Sequence, residues 1–200
     1  MNNPESLATL LPTLKEMVFD RLSDKLTYHN FEHTQQVVAF ALKLAKATCL
    51  TTDDERLLYA AAVLHDSGYG KKYNSNEGVA AMLARKLLPD FGFSEEEIAQ
   101  ICDIILATNL VMSPNNTLEM LMSDADMGYL GSKDFLLWSN KLFHEWKAMN
   151  GYPELTDNWL QSQINFLEAH CYFTKEAIAL FEAGKQRNLN LLKTLDKWPF

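Results

Sequence analysis

Apolar residues recur at helical spacing along most of the chain, and polar or small residues interrupt them where helices should begin and end. In the stretch Leu58 to Tyr69, the positions Leu58, Ala61, Ala62 and His65 fall at i, i+3, i+4 and i+7. An apolar helical stripe therefore ends on a histidine, followed at once by Asp66 and stopped by Gly68. Upstream, the pattern predicts a helix over about 6–22 and a loop carrying Tyr28-His29-Asn30. Asn30 is a good N-cap for the next helix, which runs to about Ala47. Thr51 or Thr52 caps the His-Asp helix, with Glu55 three residues after Thr52 as in a capping box. Downstream, helices are predicted over about 76–88, ending before Pro89, and from the Ser94 cap through Glu95, Glu96 and Glu97 to Thr108. A loop over 111–116 leads to a helix from Thr117 to about Leu130, stopped by Gly131. Helices over 132–149, 156–172 and 174–195 complete the set. No segment alternates like a strand, and there is no internal repeat or low-complexity linker. The pattern predicts an all-α fold: a single helical-bundle domain over 1–200 with about eight or nine helices, its motifs in 28–131 and the C-terminal helices 132–195 packed on them.

Composition narrows the picture. A chain of 200 residues that is 48% hydrophobic can build one domain with a substantial core and is not a disordered segment. No apolar run reaches the ~20 residues needed to span a bilayer. The opening residues, Met1 to Glu5, lack the basic and apolar regions of a secretion signal. Cys49, Cys102 and Cys171 are odd in number and far apart, which favours reduced thiols and a cytoplasmic location over a disulfide framework or a thiolate zinc site. A formal net charge of −8 disfavours non-specific binding to nucleic acid or to a membrane surface. A local basic patch can still take a small anion.

The chemistry concentrates in three segments. A histidine and a carboxylate at the buried end of an apolar helix need a partner, and a divalent cation suits both. In Tyr28-His29-Asn30-Phe31-Glu32-His33, the spacing of His33 with Val37, Phe40, Ala41 and Leu44 turns His33 inward. His29 and His33 are four apart, but a zinc-protease motif needs glutamate where this chain has Asn30, so that reading is rejected. In Ser123-Asp124-Ala125-Asp126, the apolar face formed by Leu118, Met122, Ala125 and Tyr129 lies closer to Asp126 than to Asp124. Asp126 is the better inward ligand, and Asp124 either supports it from behind or is solvated.

The order His33, His65-Asp66, Asp126, with the Tyr-His-Asn-x-x-His opening and the Asp-Ala-Asp ending, resembles the HD superfamily of metal-dependent phosphohydrolases, over about Tyr28 to Gly131. The resemblance implies an all-helical HD domain and a metal-activated water that cleaves a small phosphoester, often a nucleotide. By it, His33, His65, Asp66 and Asp126 are the metal ligands, and His29 is a catalytic or substrate-binding residue, with Asp66 also catalytic. Two imidazoles and two carboxylates leave positions open on an octahedral ion for water and a phosphoryl oxygen, and His29 can protonate the leaving oxygen. The expected substrate contacts are Tyr28, Asn30, Lys71, Lys72 and Glu77; one of the two lysines can neutralise phosphate charge, and Glu77 can orient the water. The chain departs from some members in lacking two further histidines before His144, which favours one divalent ion (Mn, Mg, Fe, Co, Ni or Zn) and argues against a di-iron oxygenase. It also carries Tyr69 where some nucleotide hydrolases carry glutamate. That departure keeps a rival reading open, a non-catalytic sensor of metal and nucleotide. His144 and His170 read as packed or hydrogen-bonded, and Trp138, Trp146 and Trp159 as core. The oligomeric state is not legible.

Overall fold

Flanking polar residues and backbone breaks set the helix ends in the computed structural model, which describes residues 6–149 and 152–200. Met1 to Glu5, read above for a secretion signal, lie outside them. The first predicted helix is three pieces: a 3-10 turn Leu7–Thr9, α1 (Leu10–Met17) and a 3-10 turn Phe19–Arg21. The break falls at Val18, whose φ of −123° and ψ of −63° leave the helical region. Asn30 caps α2 (Phe31–Thr48), its side-chain oxygen accepting from the Glu32 and His33 amides. Thr51 caps α3 (Thr52–Leu64) by accepting from the Asp54 amide. The box expected between Thr52 and Glu55 does not form, because Thr52 is already helical. Next come α4 (Asn76–Leu87), α5 (Glu95–Leu106) and α6 (Thr117–Asp126). Ser94 and Glu97 make a full reciprocal capping box at the start of α5.

The chain up to Ser23 together with His29–Asp126 forms one compact unit. α3 is its hub, packing against α1, α2, α4, α5 and α6. Every residue from Ala60 to Leu64 is fully buried, on all sides of the helix and not along one stripe. The three alanines explain this, since small side chains let neighbouring helices approach from several directions. In α2 the buried line is His33, Val37, Ala41 and Leu44 as expected, with Phe40 at its half-buried edge.

Asp24–Tyr28 and Met127–Phe200 form the second unit. It contains a 3-10 turn Met127–Gly131, α7 (Phe135–Ala148), α8 (Pro153–Thr156), α9 (Trp159–Ala169), α10 (Lys175–Ala177), a π turn Ile178–Glu182 and α11 (Ala183–Lys193). Gly131 and Gly184 cross closely, and a Cβ on Gly184 would stand 1.9 Å from the Gly131 carbonyl oxygen. Among the described residues there is no strand, and no helix is long and apolar enough to cross a membrane.

Candidate metal centre

Three helix ends deliver the predicted ligands to one point inside the first unit. His33 lies in the first turn of α2, fixed by the Asn30 cap. His65 closes α3, and Asp66 follows it as the chain leaves the helix. Asp126 is the last residue of α6. The sequence placed Asp126 inside a helix reaching Leu130. The helix instead stops at Asp126 and tightens into the 3-10 turn Met127–Gly131, so the carboxylate sits at a helix end.

The donor atoms converge. His33 Nε2 lies 3.2 Å from Asp126 Oδ1 and 3.3 Å from Asp66 Oδ2. His65 Nε2 lies 3.2 Å from Asp66 Oδ2 and 3.6 Å from Asp126 Oδ1. Ligands at right angles around a cation at about 2.1 Å stand about 3 Å apart, so these separations fit one divalent ion. His33 and His65 are 1% and 0% exposed. The His65 Nδ1–H donates to the Ala62 carbonyl at 2.9 Å, which leaves Nε2 as the atom facing the carboxylates; such a backbone partner is the usual brace of a metal-bound imidazole. His65 Nε2 and Asp66 Oδ2 are buried and make no hydrogen bond of good geometry among the described residues. Buried polar atoms are seldom left so, and a cation would satisfy both. The described residues thus contain a His33, His65 and Asp66 cluster able to hold a metal, with Asp126 against both imidazoles.

Charge reinforces the geometry. Burial alone would raise the Asp66 pKa, but the His65 charge and the close approach of both imidazoles bring it well below the ordinary carboxylate range. Asp126 is likewise pulled down to about 2, against burial, by the hydrogen bond with His33 and the nearby His65 imidazole. Burial lowers the two histidines, yet the carboxylates override it. His33 rises, chiefly through Asp126, and His65 rises well above its ordinary value, chiefly through Asp66. Without metal, protons on the imidazoles therefore balance the carboxylates. The histidines' contribution to stability is full below their ordinary value of 6.5 and is lost as pH rises through the raised values. The carboxylates contribute above their ordinary value of 3.8 and lose that contribution as pH falls through the depressed values. Metal must displace the imidazole protons. The rise in Tm caused by excess Mn²⁺ should accordingly be small at about pH 5.5 and larger at about pH 8.5, as scanning calorimetry can check.

Around this cluster the other predicted residues separate. His29 is half-buried beside it, its ring edge-on to His33 at 6.0 Å. His29 also stacks on Tyr69, with centroids 4.0 Å apart, and its Nε2 shares a 3.0 Å hydrogen bond with the Tyr69 hydroxyl. The Tyr69–His29 contact is not encoded in the sequence, whose one signal is the place of Tyr69 three residues after Asp66. Asn30 acts as the helix cap. Tyr28 is 4% exposed and belongs to the second unit, edge-on to Tyr129 and Trp138, with its amide donating to Glu145 Oε2. Lys71 and Lys72 are exposed, and Glu77 is half-buried in the first turn of α4. Asp124 is 1% exposed, which removes the solvated alternative. His144 is exposed, contrary to the packed reading, because it lies on the outer face of α7. His170 is half-buried, and burial followed by the Lys185 ammonium lowers its pKa to about 4. Trp138 and Trp159 are core, while Trp146 is half-buried.

Gly68 holds the turn after Asp66 in place. A Cβ there would stand 1.9 Å from the Asn76 carbonyl oxygen and 2.7 Å from its carbon. Backbone at both sides cannot yield cheaply. Gly68→Ala should cost about 1–3 kcal/mol in a denaturant titration, the range for overpacking, and should weaken metal binding by moving Asp66.

A family model described as HD domain matches residues 30–127. No curated protein and no solved structure matches the chain. The matched segment covers all four converging side chains and ends one residue beyond the first unit. Residues 30–127 thus form an HD domain, which is consistent with the HD superfamily of metal-dependent phosphohydrolases.

Proposed function

We propose that this protein hydrolyses a small phosphoester of the nucleotide class with one divalent ion held by His33, His65, Asp66 and Asp126. The observation that carries the reading is the meeting of those four donor atoms at 3.2–3.6 Å, with the His29 ring beside them. A divalent ion there supplies Lewis acidity to a phosphoryl oxygen and acidifies a water. The protein's own groups do the rest. Asp66 stays ionised, holds the ion and accepts a hydrogen bond from the attacking water. His65 keeps its Nε2 turned inward through the Ala62 carbonyl. His29 carries the proton that the leaving oxygen needs, and Tyr69 steadies its ring. Exposed Lys71 or Lys72 offsets phosphate charge. The unpaired cysteines suit a reducing cytoplasm, and the charge of −8 speaks against nucleic acid or membrane as partner.

The test is phosphate release from nucleoside monophosphates, cyclic diesters and base-free phosphoesters by metal-stripped protein, resupplied with one divalent ion at a time. Release with at least one ion is expected. Tight binding of metal and nucleotide with no release from any ester would favour the sensor reading instead.

A further inference from the structure

A groove of about 460 Å³ opens on the first unit between α4 and the start of the α5–α6 connection. That volume is in the range of small-molecule sites. Met82, Leu106 and Met112 line it, and they are 64%, 37% and 55% exposed. Together they offer an apolar wall on which a flat group can lie. Lys72 and Glu77 line the same groove, and neither side chain makes a hydrogen bond or ion pair among the described residues. They leave a cation and an acceptor available to a guest.

Gly78 is the second observation. It occupies the third position of α4 and lines the groove. Glycine weakens a helix relative to alanine, so a helical glycine calls for a reason. At Gly68 that reason is backbone contact, but a Cβ on Gly78 would meet nothing within 4 Å. Packing does not require glycine at 78. What its missing side chain preserves is open space in the groove.

The groove is also tied to the metal turn. The Lys72 amide donates to the Gly68 carbonyl at 3.0 Å, and Gly68 lies against Asn76, the first residue of α4. We infer that this groove takes the nucleobase of the substrate: a flat apolar group lies against the methionines, and its polar edge meets Glu77. The inference rests on the phosphoester reading above and supplies the part of the substrate that reading leaves open.

Methyl NMR on the full chain tests it without any turnover. Adenosine, guanosine, cytidine and uridine, which lack phosphate, are titrated into protein labelled at the methionine methyls. At least one nucleoside should shift the Met82 and Met112 signals saturably, and Gly78→Leu, which fills the groove, should weaken that binding about tenfold or more. The thermal midpoint of Gly78→Leu should equal or exceed that of the parent chain. Absence of any shift at millimolar nucleoside in the parent chain, or equal binding in a folded Gly78→Leu, overturns the inference. So do Met82 and Met112 shifts that follow protein concentration and not nucleoside, which would mark a self-association surface. Shifts with nucleoside but no ester hydrolysis would sink the enzyme reading and leave the groove standing. Hydrolysis without nucleoside shifts would do the reverse.

Discussion

Asp66→Asn should lose the divalent ion that the parent chain retains, while keeping its fold. Asparagine preserves the size of the side chain, so the packing around a residue 6% exposed is disturbed little. What disappears is the charge. Asp66 Oδ2 lies within 3.3 Å of both imidazoles, closer to His65 than Asp126 Oδ1 does. Loss of groups that merely brace a metal ligand already weakens binding 10–100-fold, so loss of a charged ligand should weaken it by at least about 10²-fold. Elemental analysis after dialysis reads the outcome. The metal-free variant has a second signature: Asp66 raises both histidines, so both should titrate lower by NMR. Asp124→Asn should keep its metal. Retention in Asp126→Asn with loss in Asp124→Asn would reverse the choice between those aspartates.

His29→Ala should bind metal normally and lower kcat by about 10²–10⁴-fold on an ester with a poor leaving group, the usual contribution of general acid catalysis. The ring is close enough to the cluster to serve substrate, at 6.0 Å from the His33 ring, and is held from behind by Tyr69. An activated aryl ester departs without needing a proton, so the loss should shrink with that substrate. Equal losses on both esters would make His29 a binding or positioning residue. Loss of metal would make it a ligand or a ligand's brace.

Much of this was legible because periodicity and chemistry point the same way. The His33 and His65 spacings set both histidines on buried lines, and the structure brings them to adjoining positions with Asp66 and Asp126. The end of α6 was not legible. Gly131 marks a helix stop, but nothing local places the end of the α-helix at Asp126, before the 3-10 turn Met127–Gly131. Gly131, at the far end of that turn, lies close against a residue distant in sequence: a Cβ there would stand 2.4 Å from the Phe181 carbonyl oxygen. The burial of α3 on every side was only half legible, because a stripe argument assumes one solvent face and three consecutive alanines abolish it. Tyr28 sits next to His29 in sequence but packs with Tyr129 and Trp138, a pairing no local pattern encodes. Gly68 and Gly78 look alike as letters. One is required by backbone contact and the other lies open, a difference only coordinates reveal.

Metal content and phosphate release should be measured together on one series of samples, stripped and then loaded stepwise with a single divalent ion. The rate should rise in proportion to occupancy and saturate at one ion per chain, with neither occupancy nor rate in Asp66→Asn. Ester hydrolysis by fully stripped protein, or an undiminished rate in Asp66→Asn, would contradict that expectation.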